Sequence, residues 1–353
     1  MDRREFFGLL AFAGARPARS AGSAEPRILT VSGPGPPSAL GTTLAHEHVL
    51  VDFAGAVQVS RDRYDAEEAF GVILPHLQAL RRAGADTLVE CTPAYLGRDP
   101  RLLRRLAKAS GLTLLTNTGY YGANGGRHLP AHALAETAEQ LAARWTAEFE
   151  DGIEGTAIRP GFIKTGVGAG PLSAVDRKLV RAAAIAHRRT GLTVYAHTGD
   201  GAAALDSIAT LAAEGVAPDA YVWVHAQNEK DRELHARAAR AGAWVSFDGV
   251  SPQALDGHLE AVTEMTRRGY LGRLLVSQDA GWYHVGESRG GAYRGHTFLF
   301  ETFLPALRDS GFTQGQVRTL LAANPAEALA IRPRLGPPAA RTWRSRRGQG
   351  RFA

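Results

Sequence analysis

Leu192-Thr193-Val194-Tyr195-Ala196-His197, the Ala/Leu-rich stretch Ala202 to Gly215, and Tyr221-Val222-Trp223-Val224-His225 together decide the reading of the fold. Two short runs of β-branched and aromatic residues flank a segment long enough for one helix, the pattern of parallel strands joined by a crossover helix. The same alternation extends in both directions. Strand-like runs lie at Thr43 to Val51, Asp86 to Cys91, Thr113 to Thr118, Gly161 to Thr165, Ala243 to Phe247 and Leu274 to Ser277. Helical stretches between them include Ala66 to Ala83, Pro130 to Glu150, Ala174 to Thr190, Asp231 to Ala241 and Gln253 to Arg268. Thr313 to Leu321 and a helix after Pro325 close the series. Eight strand–helix units with no compositional break predict a single closed (β/α)8 TIM barrel of the α/β class. An open sheet would want a Gly-rich phosphate loop after its first strand, and Gly41-Thr42-Thr43-Leu44 precedes a strand instead.

Composition sets the bounds. The 353 residues, 44% hydrophobic and 22% charged, suffice for one large core, and no apolar run approaches the ~18 residues of a membrane span. The net charge of +6 invites a nucleic-acid reading, but six arginines and no acidic residue follow Pro333 (Arg334, Arg341, Arg344, Arg346, Arg347, Arg351). The body is close to neutral, which argues against a basic nucleic-acid groove across it. A lone Cys91 excludes an intramolecular disulfide and a thiolate metal site. At the start, Arg3-Arg4-Glu5-Phe6-Phe7, the apolar stretch Gly8 to Ala15 and small residues Ala21 to Ala24 resemble a twin-arginine export signal, implying a periplasmic or exported protein, with a cytoplasmic one as the alternative. The expected division is residues 1–25 as signal or unstructured start, 26–332 as barrel, and 333–353 as an unstructured basic tail. The Gly/Pro-rich Ser32 to Pro37 reads as a linker or tight turns.

In such barrels the chemistry sits at the C-terminal ends of the strands. His46 and His48 stand two apart on the first strand, so both imidazoles face the lumen and form a metal clamp. Glu47, between them, faces the other way and reads as structural. The fourth run ends in Lys164, where an ionised amine is costly unless paired or chemically altered. A carbamate made from that amine and carbon dioxide would be an anionic oxygen ligand able to bridge two metals. The fifth and sixth runs end in His197 and His225, and Asp279 follows the eighth. Singly, each has an ordinary explanation, a core histidine or an N-cap aspartate. Jointly they predict a metal site.

The chain resembles the phosphotriesterase family of the amidohydrolase superfamily over roughly residues 28 to 332. The segments that carry the resemblance are Gly41 to His48, Ile163-Lys164, Ala196-His197-Thr198, Val224-His225, Ser277-Gln278-Asp279 and Asn324-Pro325-Ala326. The resemblance implies two divalent metal ions, zinc by ligand preference with manganese, cobalt or iron as alternatives. It puts His46, His48 and Asp279 on the more buried ion, His197 and His225 on the more exposed one, and N6-carboxylated Lys164 with a hydroxide between them. The implied chemistry is ester hydrolysis by that hydroxide, with Asp279 passing the proton to the leaving group. The family also implies a homodimer.

Two departures bear on substrate. Where the organophosphate-cleaving members carry an aspartate and a histidine beyond the fourth histidine and the seventh strand, this chain has Asn228 and Gly249. The third run ends Thr118-Gly119-Tyr120-Tyr121, similar to the lactonase-like branch, which makes both tyrosines candidates for a carbonyl contact. Trp282, in the long loop after the eighth run, is a further candidate substrate contact. His284 and His296 read as having no catalytic role and as compatible with exposure. The leading expectation is a lactone or other carboxylic ester as small-molecule substrate. A true phosphotriesterase and a non-catalytic, metal-stabilised binding barrel are the alternatives, and DNA binding through the Arg-rich tail is a lesser one.

Overall fold

The computed structural model describes residues 25–336; the expected export signal and most of the expected tail lie outside the described residues. Eight parallel strand positions form the barrel. They are β1 (Thr43–Glu47), β2 (Thr87–Glu90), β3 (Thr113–Leu115 continuing as Asn117–Thr118), β4 (Phe162–Val167), β5 (Val194–Thr198), β6 (Tyr221–Val224), β7 (Trp244–Phe247) and β8 (Leu274–Val276). Each pairs with its neighbour in chain order from β1 to β8. The ring closes between β8 and β1 through single contacts: the His46 N–H donates to Ser277 Oγ at 3.0 Å and the Asp279 N–H to the His46 carbonyl at 3.2 Å.

Alternation splits the strand side chains into two apolar layers. Ala45, Val89, Leu115, Phe162, Tyr195 and Val222 fill the lumen, and Leu44, Leu88, Leu114, Ile163, Val194 and Val245 face the surrounding helices. The expected helix Pro130 to Glu150 is two, Ala131–Ala135 and Ala138–Asp151. The break falls at Thr137, whose hydroxyl accepts the Gln140 N–H while the Gln140 side chain accepts the Thr137 N–H. This reciprocal cap is a helix start that the run of alanines hid.

Ser32 to Pro37 is a turn and strand rather than a linker: Gly33–Gly35 pairs antiparallel with Ile28–Thr30. Ile28, Leu40, Ala328 and Leu329 pack against the lumen residues and plug the end of the barrel remote from the site.

The tail boundary expected after Arg332 is corrected. Arg334 is buried, and its guanidinium donates to Thr193 Oγ1 at 3.0 Å and to the carbonyls of Glu327 and Ala328 at 2.7 and 3.2 Å. Its backbone N–H donates to His187 Nε2, and Leu335 bridges to Val216. Burial depresses the Arg334 pKa to about 10. The Arg-rich composition predicts solvated charge there, whereas the Arg334 Nη2 group donates to two carbonyls at the end of the last helix, Glu327 and Ala328, the second of which also accepts the Thr193 hydroxyl. Arg334→Met keeps the volume and removes those donors, so chemical denaturation is expected to show a loss of roughly 2–4 kcal/mol.

Candidate metal centre

The site begins with an irregularity in β1. Leu44 pairs with Leu88 and Glu47 with Glu90, three steps against two, so β1 carries one extra residue. Such a bulge re-aims side chains at a strand end. His46 and His48 both turn inward, as alternation beyond the bulge requires, and Glu47 turns into the seam between β1 and β8.

His46 is fully buried. Its Nδ1 lies 3.1 Å from Asp248 Oδ2, which leaves Nε2 facing the site, 3.2 Å from Lys164 Nζ and 3.7 Å from Asp279 Oδ1. His48 is arranged alike, with Nδ1 2.7 Å from Thr92 Oγ1 and Nε2 3.2 Å from Asp279 Oδ1. His225 follows β6 in a left-handed conformation, φ 61°, with Nδ1 2.8 Å from Asp248 Oδ1. Its ring centroid is 5.0 Å from that of His46 and 4.5 Å from that of His197. His197 is turned over relative to the others, its Nε2 3.1 Å from the Tyr121 hydroxyl, so that Nδ1 is its free nitrogen.

A carboxylate fixes tautomers here. Asp248 accepts from His46, from the ring and backbone of His225, from Ser246 Oγ and from Gln227 Nε2. An Nδ1–H held by a carboxylate leaves Nε2 with its lone pair, the form that binds a metal. His46, His225 and Asp248 lie close enough to suggest a cation between them. We assign them instead as ligand and support, because their facing atoms already bond one another.

His46, His48 and Asp279 form the other cluster, and there Asp279 Oδ1 is shielded from solvent and makes no hydrogen bond. An orphaned carboxylate oxygen beside two unprotonated imidazole nitrogens fits a divalent cation. The titrations agree. Burial, then Lys164, lowers the His46 pKa to about 4, and burial also lowers His48 and His197. For His225 burial opposes the charge but Asp248 outweighs it, raising the pKa.

Residues 26–329 match the Phosphotriesterase family. The chain belongs to that family. It is similar to a phosphotriesterase homology protein of Escherichia coli (strain K12), 28% identical over 81% of this chain and 97% of the relative. It is also similar to an aryldialkylphosphatase of Saccharolobus solfataricus, 25% identical over 81% of this chain and 94% of the relative. A solved structure titled as molecular engineering of organophosphate hydrolysis activity from a weak promiscuous lactonase template superposes with a TM-score of 0.78. It is 29% identical and covers 86% of this chain and 100% of that one.

Within this phosphotriesterase-family barrel the structure brings together His46, His48, Lys164, His197, His225 and Asp279. Burial grades the set: His46 is fully enclosed, and His197 is the most open of the four histidines. Tyr121 stands over His197, while Tyr120 turns away, its hydroxyl 3.0 Å from His132 Nε2 and its ring against Trp145. The candidate carbonyl contact is therefore Tyr121 alone. Trp282 caps the site, its ring centroid 4.5 Å from that of His48 and its Nε1 donating to the Asp279 carbonyl at 2.7 Å. A 320 Å³ opening lined by Gly249, Asp279, Trp282, His284 and Arg294 reaches the cluster. A larger cavity of 530 Å³, lined by Arg61, Tyr95, Arg98 and Tyr120 among others, contains none of the six. Ligand chemistry outweighs volume in placing the site.

One reading changes. His296 is fully buried, with Nδ1 3.1 Å from Glu47 Oε2 and Nε2 3.0 Å from the Tyr293 hydroxyl, so exposure is excluded. Asp248 supports the candidate ligands without belonging to any of the motifs that carry the resemblance. The period-two rule that placed His46 and His48 also puts Ser246 and Asp248 on one face.

Asp248→Asn leaves one acceptor oxygen where two imidazoles each need one, and metal affinity is expected to fall about 10–100-fold in a chelator competition titration. The imidazoles also set a pH dependence for the metal-free protein. Between the ordinary histidine pKa of 6.5 and the His46 value of about 4, the unfolded chain binds more protons than the folded one. His48 and His197 act in the same sense, as do His187, His235 and His258, whereas His225, and Glu90, which burial pushes up to about 8, act in the opposite one. Stability of the chelated protein should therefore decline as pH falls through that window. A flat calorimetric midpoint there would contradict it.

Proposed function

We propose that this protein is a hydrolase of lactones or other carboxylic esters that works with two divalent cations, zinc by ligand chemistry. His46, His48 and Asp279 would hold one ion and His197 and His225 the other, with Lys164 between them as its N6-carbamate. The carrying observation is the unpartnered Asp279 Oδ1 surrounded by imidazoles whose outer nitrogens are already engaged. Lys164 Nζ, 3.2 Å from His46 Nε2, offers no oxygen as an amine. Loss of one proton and addition of carbon dioxide supplies two. Bound divalent cations lower the pKa of water towards neutrality and polarise an ester oxygen.

The chain's own residues divide the remaining work. Asp279 takes the proton of the attacking water and carries it to the leaving oxygen. Tyr121, beside His197, is placed to donate to the oxygen of the acyl group, and Trp282 walls the opening. Beyond Asp248 the seventh-strand position is Gly249, where a Cβ would stand 2.7 Å from Gln227 Nε2. The Gln227 amide fills that space and donates to Asp248 at 3.0 Å. An amide cannot relay a proton, which supports chemistry that ends at Asp279 and favours carboxylic esters over phosphotriesters.

The test is hydrolysis by metal-reconstituted protein of a panel of lactones, aryl carboxylic esters and an aryl dialkyl phosphate, against a chelated blank. Metal-dependent preference for lactones or esters is expected. Preference for the phosphate would overturn the substrate reading, and silence throughout would favour the non-catalytic barrel. Lys164→Ala should abolish turnover and lower bound metal, with partial return of both on adding short carboxylic acids. Full activity in that variant would remove the bridging role.

A further inference from the structure

We propose that Glu47, with His296 behind it, is the positioning pair that holds the Asp279 carboxylate in the metal centre. The kinetic part of this inference rests on the hydrolase reading above; the geometric part does not.

Asp279 is wound into an unusual backbone. Its φ is 51°, a left-handed conformation that residues other than glycine adopt rarely, and Gly281 at 100° and Trp282 at 76° follow it. Such a conformation persists only where the surroundings over-determine it. This segment also leaves β8 at the seam where the ring closes through single contacts.

Glu47 supplies the constraint. Its side chain is fully buried in that seam. Oε1 accepts the Ser277 hydroxyl at 2.6 Å and the Gln278 N–H at 2.8 Å, and Oε2 accepts the Ala280 N–H at 2.8 Å. The intervening Asp279 N–H goes to the His46 carbonyl. Three successive N–H groups, at 278, 279 and 280, are thus all taken by residues 46 and 47. The peptide planes on both sides of the Asp279 Cα are thereby set relative to the strand that carries His46 and His48. The Ser277 hydroxyl that donates to Glu47 accepts the His46 N–H, so the same carboxylate registers both partners of the cation.

His296 completes the device. As the Nδ1–H tautomer it donates to Glu47 Oε2, while Nε2 faces the Tyr293 hydroxyl. Its own carbonyl accepts from Gln278 Nε2, and Gln278 Oε1 accepts the Leu299 N–H. Four donors therefore converge on the two Glu47 oxygens, and the long loop after β8 is tied to the point that aims Asp279. An aliphatic filler of the same volume could not do this, because the function lies in two acceptors at fixed separation.

Glu47→Gln preserves shape but leaves one acceptor oxygen, so one N–H flanking Asp279 faces an amide NH2 whichever way the group turns. With the protein fully loaded with cobalt(II), the visible absorption bands should shift, because the geometry at the Asp279 ligand changes while His46 and His48 remain. On the best substrate of the panel, kcat should fall about 10–100-fold, the loss expected for one buried hydrogen bond left unmade, with KM held within about threefold. A fully loaded Glu47→Gln protein with native cobalt bands and native kcat, altered only in unfolding midpoint, would overturn the proposal. Should that variant fail to fold, His296→Phe and His296→Gln decide. A band shift in the first that is reversed in the second, which restores a donor to Glu47, supports positioning. Native bands in both overturn it. Wild-type protein silent on every ester would sink the hydrolase reading while leaving the cobalt comparison intact.

Discussion

One buried carboxylate holds the site together. Asp248, at the end of β7, takes Nδ1–H groups from His46 on β1 and His225 after β6, along with the His225 backbone N–H. Three strands, two of them distant in sequence from β1, are thus tied at the depth where the imidazoles meet. Burial alone would raise the Asp248 pKa, yet His225 and His46 hold it well below the ordinary value. The carboxylate and the rings sustain each other: the acid stays ionised because the histidines donate, and the histidines keep inward lone pairs because the acid accepts.

Barrel closure carries the second half of the arrangement. Elsewhere around the ring, backbone ladders fix the register of neighbouring strands, but between β8 and β1 side chains do so. A ladder would have set Asp279 in an extended conformation with its side chain alternating in the ordinary way. The looser seam lets the chain wind left-handed at Asp279 and drop its carboxylate between His46 and His48. Gly281 is required by the same closeness, since a Cβ there would lie 1.8 Å from the His48 carbonyl oxygen.

The fold was legible because alternation is a repeated signal: eight short apolar runs interleaved with helical segments leave little freedom for another architecture. The candidate ligand positions stood out because polar residues ending apolar runs are rare events that coincided at five strand ends. What escaped were partners that act singly. Glu47 read as structural from alternation alone, and its four donors come from residues 230 or more positions away, which no local pattern reveals. Asp248 has the right periodicity but looks like an ordinary strand-end acid. Arg334 sits in an Arg-rich, acid-free stretch whose composition argues for solvation, and only the carbonyls at the end of the last helix show why this one arginine is enclosed. Tyr120 and Tyr121 could not be told apart from sequence, since adjacent residues leaving a strand face opposite sides and either could have met the site.

Gly249 and Gln227 belong to one packing solution. A side chain at 249 and the Gln227 amide compete for the same space, and the amide also makes a reciprocal pair with Asp248, accepting its N–H at 3.1 Å while donating to its carboxylate at 3.0 Å. The pair orients Asp248 through an amide, which is not itself a titratable group, behind the candidate metal ligands. A histidine at 249 would displace the amide, loosen Asp248 and open a path for protons away from the centre. The geometry thus trades a relay for a fixed acceptor. That choice suits the proposed reaction, in which Asp279 would return its proton to an alkoxide close at hand, as when a lactone ring opens and its leaving oxygen stays tethered.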